Sequence, residues 1–232
     1  MRGSSSFKKE FLALQSGLIV NCVSDPDDKF QKPGWAAFTA SAVEAGGCAG
    51  IRANGPEDIA AIKEKVKVPV IGFYKTTVPG FSVSITPTVS HAEMVAAAGA
   101  DFIELDGTQT PHPEGMLVEE IIRKVKQITG KPIIADITTS MDGILAANMG
   151  ADAVMVTVSD ASNGEGIDDG DYSLIASLSK RLQIPLIARG RLYTPERAKR
   201  ALENGAFAVV VGSAITRPQM ITRHFTSALR RP

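Results

Sequence analysis

The chain has 232 residues, 44% hydrophobic and 22% charged, with 25 basic against 25 acidic residues. That balance is the one expected of an ordinary globular protein; it excludes disordered and collagen-like chains, and the net charge near zero argues against a nucleic-acid or membrane-surface partner. No apolar run approaches the roughly 18 residues that span a bilayer, and the opening MRGSSSFKKEF lacks the apolar core of a secretory signal, so the chain reads as cytoplasmic.

In chain order, short apolar runs alternate with helical patterns. A strand near Gly17 to Asn21 precedes a helix near Trp35 to Ala45, and a strand near Gly50 to Arg52 precedes a helix near Pro56 to Lys65. The pattern repeats with Val70 to Tyr74 and Val89 to Ala98, then Phe102 to Asp106 and Leu117 to Thr129, then Pro132 to Asp136 and Ser140 to Met149. It ends with Ala153 to Thr157 and Tyr172 to Arg181, Pro185 to Ala188 and Pro195 to Asn204, and Ala208 to Gly212 and Pro218 to Leu229. Residues 1–16 form an N-terminal extension or helix ahead of the first strand. An internal period underlies this order: Gly99-Ala100, Gly150-Ala151 and Gly205-Ala206, with a degenerate copy at Gly46-Gly47, recur 53, 51 and 55 residues apart. Each glycine suits the left-handed position that ends a helix, and an apolar run follows it.

Strands without polar alternation are buried on both faces, which requires a parallel sheet covered by helices. Eight such units over this length predict one (β/α)8 TIM barrel, a single domain spanning residues 1–232. An open doubly wound sheet is disfavoured because no G-x-G-x-x-G follows the first strand. Cys22 and Cys48 signal neither a disulfide framework nor a four-ligand zinc site and are expected to be buried neutral thiols. His91, His112 and His224 have no metal-site spacing and are expected at the surface.

In barrels of this kind the site lies where strands end and βα loops begin. Those positions hold Asn21, Arg52, Lys75, Asp106, Asp136, Thr157, Arg189 and the Gly212-Ser213 pair. The ring implies a polar site, or more simply ion pairs across the mouth. Lys75 is a candidate base or Schiff-base amine, and the simpler reading pairs it with Asp106 or Asp136. Gly212 and Ser213, with Gly190 after the seventh strand, present backbone N–H groups suited to a phosphate, where glycines needed only for packing are the plainer reading. Arg217 stands close behind to meet the phosphate or another group. The polar segment Ser159 to Asp171 is a candidate lid.

Gly17-Leu18-Ile19-Val20, Gly50-Ile51-Arg52-Ala53-Asn54, Pro69-Val70-Ile71-Gly72, Ile85-Thr86-Pro87-Thr88, Ala135-Asp136-Ile137-Thr138-Thr139 and Val210-Val211-Gly212-Ser213-Ala214-Ile215-Thr216-Arg217-Pro218 together resemble the N-acetylmannosamine-6-phosphate 2-epimerases, in register along essentially the whole chain. The resemblance implies a barrel isomerase of sialic-acid catabolism that interconverts N-acetylmannosamine 6-phosphate and N-acetylglucosamine 6-phosphate. It implies Lys75 as catalytic lysine, Arg52 and Asp136 on the sugar and Arg217 near the phosphate, with no metal or organic cofactor. Asp106, Thr157 and Arg189 complete the expected substrate-binding set. Only a phosphorylated small molecule is implied as partner; the oligomeric state is open, a homodimer being one option.

The sequence also departs from the family. Asn21-Cys22-Val23 stands for Ser-Cys-Gln, Thr76-Thr77 follows the lysine in place of Arg-Asp, and Val156 to Ala161 replaces Thr-Thr-Leu-Ser-Gly-Tyr. Ala188-Arg189-Gly190-Arg191 replaces Ala-Glu-Gly-Arg, reversing a charge. Two other readings follow: a related enzyme for a different phosphorylated, dianionic substrate, and a non-catalytic phosphosugar-binding barrel. If Arg189 points into the mouth it either attracts a second anionic group or pairs with Asp136 or Asp106.

Overall fold

The computed structural model describes residues 9–23, 34–158 and 169–229, with the side chains of 169–171 left undescribed. Eight strands, β1 (Leu18–Asn21), β2 (Gly50–Asn54), β3 (Val70–Phe73), β4 (Phe102–Asp106), β5 (Ile133–Ile137), β6 (Ala153–Val158), β7 (Leu186–Gly190) and β8 (Ala208–Val211), close into a parallel barrel in sequence order. The last strand pairs with the first through Ile19 and Val210. The helices are α1 (Trp35–Ala45), α2 (Pro56–Lys63), α3 (Val89–Ala97), α4 (Val118–Thr129), α5 (Ser140–Asn148), α6 (Asp169–Arg181), α7 (Pro195–Glu203), the short α8 (Ser213–Thr216) and α9 (Pro218–Leu229). The closed order excludes the open sheet, and the expected elements are all found with ends shifted by three residues or fewer.

The repeated glycines have the conformation their position demands. Gly47, Gly99, Gly150 and Gly205 all have φ between 90° and 102°, which turns the chain out of a helix and into the next strand. From there, period-two alternation divides each strand between two cores. Outward residues such as Ile51, Ile103, Ala135 and Val154 pack against the helices. Inward residues Ile19, Ile71, Phe102, Ile134, Met155, Ile187 and Val210 fill the barrel.

The barrel bottom is closed by the chain itself. A 3₁₀ helix, Lys9–Leu14, lies inside the extension assigned to residues 1–16, and its fully buried Phe11 and Leu14 join the inner core. Phe11 packs on Phe102 at the start of β4 with ring centroids 4.7 Å apart. The Ser16 N–H donates to the Phe207 carbonyl at 2.7 Å, tying this segment to the entrance of β8. Among the described residues no helix is long and apolar enough to cross a membrane.

Two smaller expectations meet the structure differently. Cys22 and Cys48 are buried, and burial together with the neighbouring Cys48 pushes the Cys22 thiol up to about 12. His112, expected at the surface, is instead buried: its ring Nδ1 lies 3.2 Å from the Pro87 carbonyl, and its Nε2 has no hydrogen-bond partner among the described residues. The two prolines around it fold the loop inward over the β3–α3 connection. His91 is half-buried, stacked on Tyr74 at 4.8 Å. The expected lid, Ser159 to Asp171, lies outside the described residues for 159–168.

Candidate active site

The alternation that fills the barrel also builds its mouth. Following each inward column upward, Ile19 leads to Asn21, Gly50 to Arg52, Phe102 to Glu104 and Asp106, Ile134 to Asp136, Met155 to Thr157, and Ile187 to Arg189. Lys75 continues the inward positions Ile71 and Phe73. Apolar side chains at the bottom therefore give way to charged ones at the top, within strands whose outward residues stay apolar.

These side chains form one bonded net. The Arg52 guanidinium donates through Nε and Nη2 to the two carboxylate oxygens of Glu104, each at 2.6 Å, and through Nη1 to Asn21 Oδ1 at 2.8 Å. Arg52 also lies over the Phe73 ring at 3.8 Å. Arg189 donates through Nε to Thr157 Oγ1 at 2.9 Å and through Nη2 to Asp136 Oδ2 at 2.6 Å, and its Nη1 lies 3.7 Å from Glu104 Oε1. Six strands thus contribute to one net, with Glu104 at its centre. Arg189 does point into the mouth, and of the two roles open to it the structure shows the pairing with Asp136.

Glu104 was not among the residues singled out from the sequence, because it sits inside an apolar run rather than at its end. It is fully buried. Burial on its own would raise its carboxyl, but the Arg52 guanidinium, its hydrogen bonds and Arg189 outweigh that and hold it below the usual range. Asp136 behaves oppositely: burial, with Glu104 and Asp106 close by, outweighs the two arginines and pushes its carboxyl up to about 7. Asp106 Oδ1 accepts from the Thr108 N–H at 2.9 Å and from the Thr108 hydroxyl at 2.7 Å.

Lys75 is exposed and pairs with neither Asp106 nor Asp136, so the simpler reading of this lysine is not what the structure shows. Its backbone N–H donates to Asn54 Oδ1 at 2.7 Å, and it bridges antiparallel to Ile85. The Thr86 N–H returns to the Tyr74 carbonyl at 2.8 Å. The loop carrying the lysine is thereby folded back on itself at the end of β3.

A cavity of about 340 Å³ opens beside this net. Asn21, Arg52, Thr157 and Arg189 line it together with Gly190, Gly212 and Ser213. Leu192 and Tyr193, which sequence reasoning did not mark, close it from the β7–α7 loop. Lys75, Asp106, Asp136 and Arg217 stand outside this lining, the first three on the β3–β5 side of the mouth. Gly190 has φ 122°, and a Cβ there would collide with the Val158 carbonyl. Gly212 lies between β8 and α8, its carbonyl accepting from the Ile215 and Thr216 N–H groups at 2.8 and 3.0 Å. The N–H groups of Ser213 and Ala214, at the start of α8, have no acceptor within the helix. Among the described residues no three His, Cys, Asp or Glu side chains gather as a metal-holding group.

A family model described as "NanE: Putative N-acetylmannosamine-6-phosphate epimerase" matches residues 36–231. A protein of Caldanaerobacter subterraneus named "Putative N-acetylmannosamine-6-phosphate 2-epimerase" is 42% identical over 94% of this chain and 92% of its own length. A protein of Cutibacterium acnes with the same name is 41% identical over 97% of this chain and its entire own length. The solved N-acetylmannosamine-6-phosphate 2-epimerase of Clostridium perfringens superposes with a TM-score of 0.84 at 36% identity, covering 94% of this chain and 95% of that one.

Proposed function

Because the chain belongs to the N-acetylmannosamine-6-phosphate epimerase family, we propose that it interconverts N-acetylmannosamine 6-phosphate and N-acetylglucosamine 6-phosphate by moving the proton on carbon 2. The observation that carries the reading is the placement of Lys75, just past the end of β3 and without a carboxylate partner among the described residues, across the mouth from the cavity. Removing the hydrogen α to the carbonyl of the open-chain sugar requires a base within reach of carbon 2 and a positive group at the oxygen where charge then develops. The Lys75 amine takes the proton, and the Arg52 guanidinium, held rigidly by Glu104, faces the enolate oxygen. Return of the proton on the other face gives the epimer. Asp106, Asp136 and Thr157 hold sugar hydroxyls, with Arg189 fixing the last two in place. The phosphate rests on the backbone of Gly190, Gly212 and Ser213, with Arg217 behind.

In this reading the protein works in the cytoplasm, in the breakdown of amino sugars including sialic acid. It acts as a homodimer: α9 has no buried residue, and Phe225 and Leu229 on it are 65% and 79% exposed, apolar area of the kind that partners cover. Incubation of N-acetylmannosamine 6-phosphate with the enzyme in deuterium oxide, followed by NMR at carbon 2, tests the assignment. Deuterium should enter carbon 2 of both epimers. Binding without exchange would leave a phosphosugar-binding barrel instead.

A further inference from the structure

The charges of the mouth are balanced in an unusual place. Two guanidinium groups line the cavity, and the carboxylate that serves both of them, Glu104, is fully buried beneath it. Its position is fixed from two directions. Arg52 grips both oxygens at 2.6 Å, and the Thr86 hydroxyl donates to the Glu104 carbonyl at 2.6 Å, locking this stretch of β4 to the lysine-bearing loop. Asp136 takes the remaining strong donor of Arg189. A ligand entering the cavity therefore meets two cations whose charge is already answered by two carboxylates, while its phosphate meets backbone N–H groups that carry no net charge.

We propose that Glu104 is a specificity-determining residue: by neutralising Arg52 and Arg189 from below, it makes the cavity accept a phosphorylated sugar with an uncharged ring and reject one bearing a second acidic group. A carboxylate on the ligand would approach Glu104 and Asp136 without gaining an unpaired cation, and the desolvation of that extra charge would go uncompensated. Replacing Glu104 with glutamine keeps the shape and removes the charge, which leaves the paired guanidinium groups in cationic excess. The proposal rests on the phosphosugar reading of the cavity and adds to it the class of phosphosugar that is excluded.

The test is calorimetric binding at about pH 8, where the Asp136 carboxyl is ionised, of two probes, N-acetylglucosamine 6-phosphate and the phosphorylated sugar acid 6-phosphogluconate. The wild-type protein should prefer the neutral-ring probe. In Glu104→Gln the preference should swing toward the acid by about tenfold, as expected for one uncompensated charge at a partly screened site. Glu104→Asp keeps the charge and should keep the wild-type ratio even if both affinities fall. Arg189→Gln should move the ratio about tenfold the other way, and it decides the matter if Glu104→Gln does not fold. An unchanged ratio in the folded variants overturns the role of Glu104 while leaving the phosphosugar site standing. Failure of the wild-type protein to bind either probe overturns the site reading and this inference together.

Discussion

Arg189 and Asp136 are 53 residues apart in sequence and 2.6 Å apart across the barrel mouth. The arginine on β7 is thus paired with a carboxylate from β5 and approached by another from β4. Arg189→Glu would put three carboxylates together around Arg52. If Arg189 attracted a second anionic group on the ligand, the same substitution would improve use of N-acetylmannosamine 6-phosphate. The geometry leads to the opposite expectation: a loss of about 1.5–3 kcal/mol in stability, from breaking the charge-assisted hydrogen bonds of a partly buried pair, with falling turnover. Chemical denaturation and steady-state kinetics on the variant check both.

Lys75→Met should leave the fold intact, since the side chain is exposed above the packed layers of the barrel. Turnover should fall by about 10²- to 10⁴-fold, the typical contribution of a general base. An unaltered rate in this variant would remove the lysine from the reaction.

The Asp136 carboxyl, pushed up to about 7 from 3.8, gives stability a direction with pH. Between those two values the folded protein holds a proton that the unfolded chain has released, so folding takes up a proton. Stability from this group is therefore greatest at acid pH and is lost as pH rises through about 7. Asp136→Asn cannot titrate. Its melting temperature relative to wild type should climb from about pH 4 to about pH 7 and level off above that, and a flat difference throughout would show that the carboxyl titrates normally.

Gly190→Ala tests the phosphate cradle. The substitution meets the Val158 carbonyl and forces φ 122° on a residue with a side chain, at a cost of about 1–3 kcal/mol in local strain. Affinity for a sugar 6-phosphate should drop while affinity for the unphosphorylated sugar stays the same. In the wild-type protein, crystals grown with phosphate should hold the anion against Gly212 and Ser213. Equal wild-type affinity for the sugar and its phosphate would refute the cradle.

The fold was legible because its units repeat two local instructions: a helix ended by a glycine with positive φ leads into β2, β4, β6 and β8, and a proline turn leads into β3, β5 and β7. The mouth was legible where polar residues end strands, as Arg52, Asp136, Thr157 and Arg189 do. Glu104 was hidden by its neighbours Ile103 and Leu105, which make Phe102 to Asp106 look uniformly apolar. Period-two alternation was the available signal, since Phe102, Glu104 and Asp106 share one face and Ile103 and Leu105 the other. Which cation meets which carboxylate depends on barrel closure, and no spacing along the chain encodes that. His112 escaped for a related reason: two flanking prolines mark a turn but do not say whether it folds over a neighbouring loop.

The side chains that fill the barrel leave it no bore, and the 3₁₀ helix at Lys9–Leu14 covers its lower end. With Phe11 and Leu14 seated against the lower ends of the strands, substrate enters and product leaves over the same rim. Traffic through the site is one-way-in, same-way-out, so a molecule that caps the rim near Leu192 and Tyr193 would hold product in as effectively as it keeps substrate away.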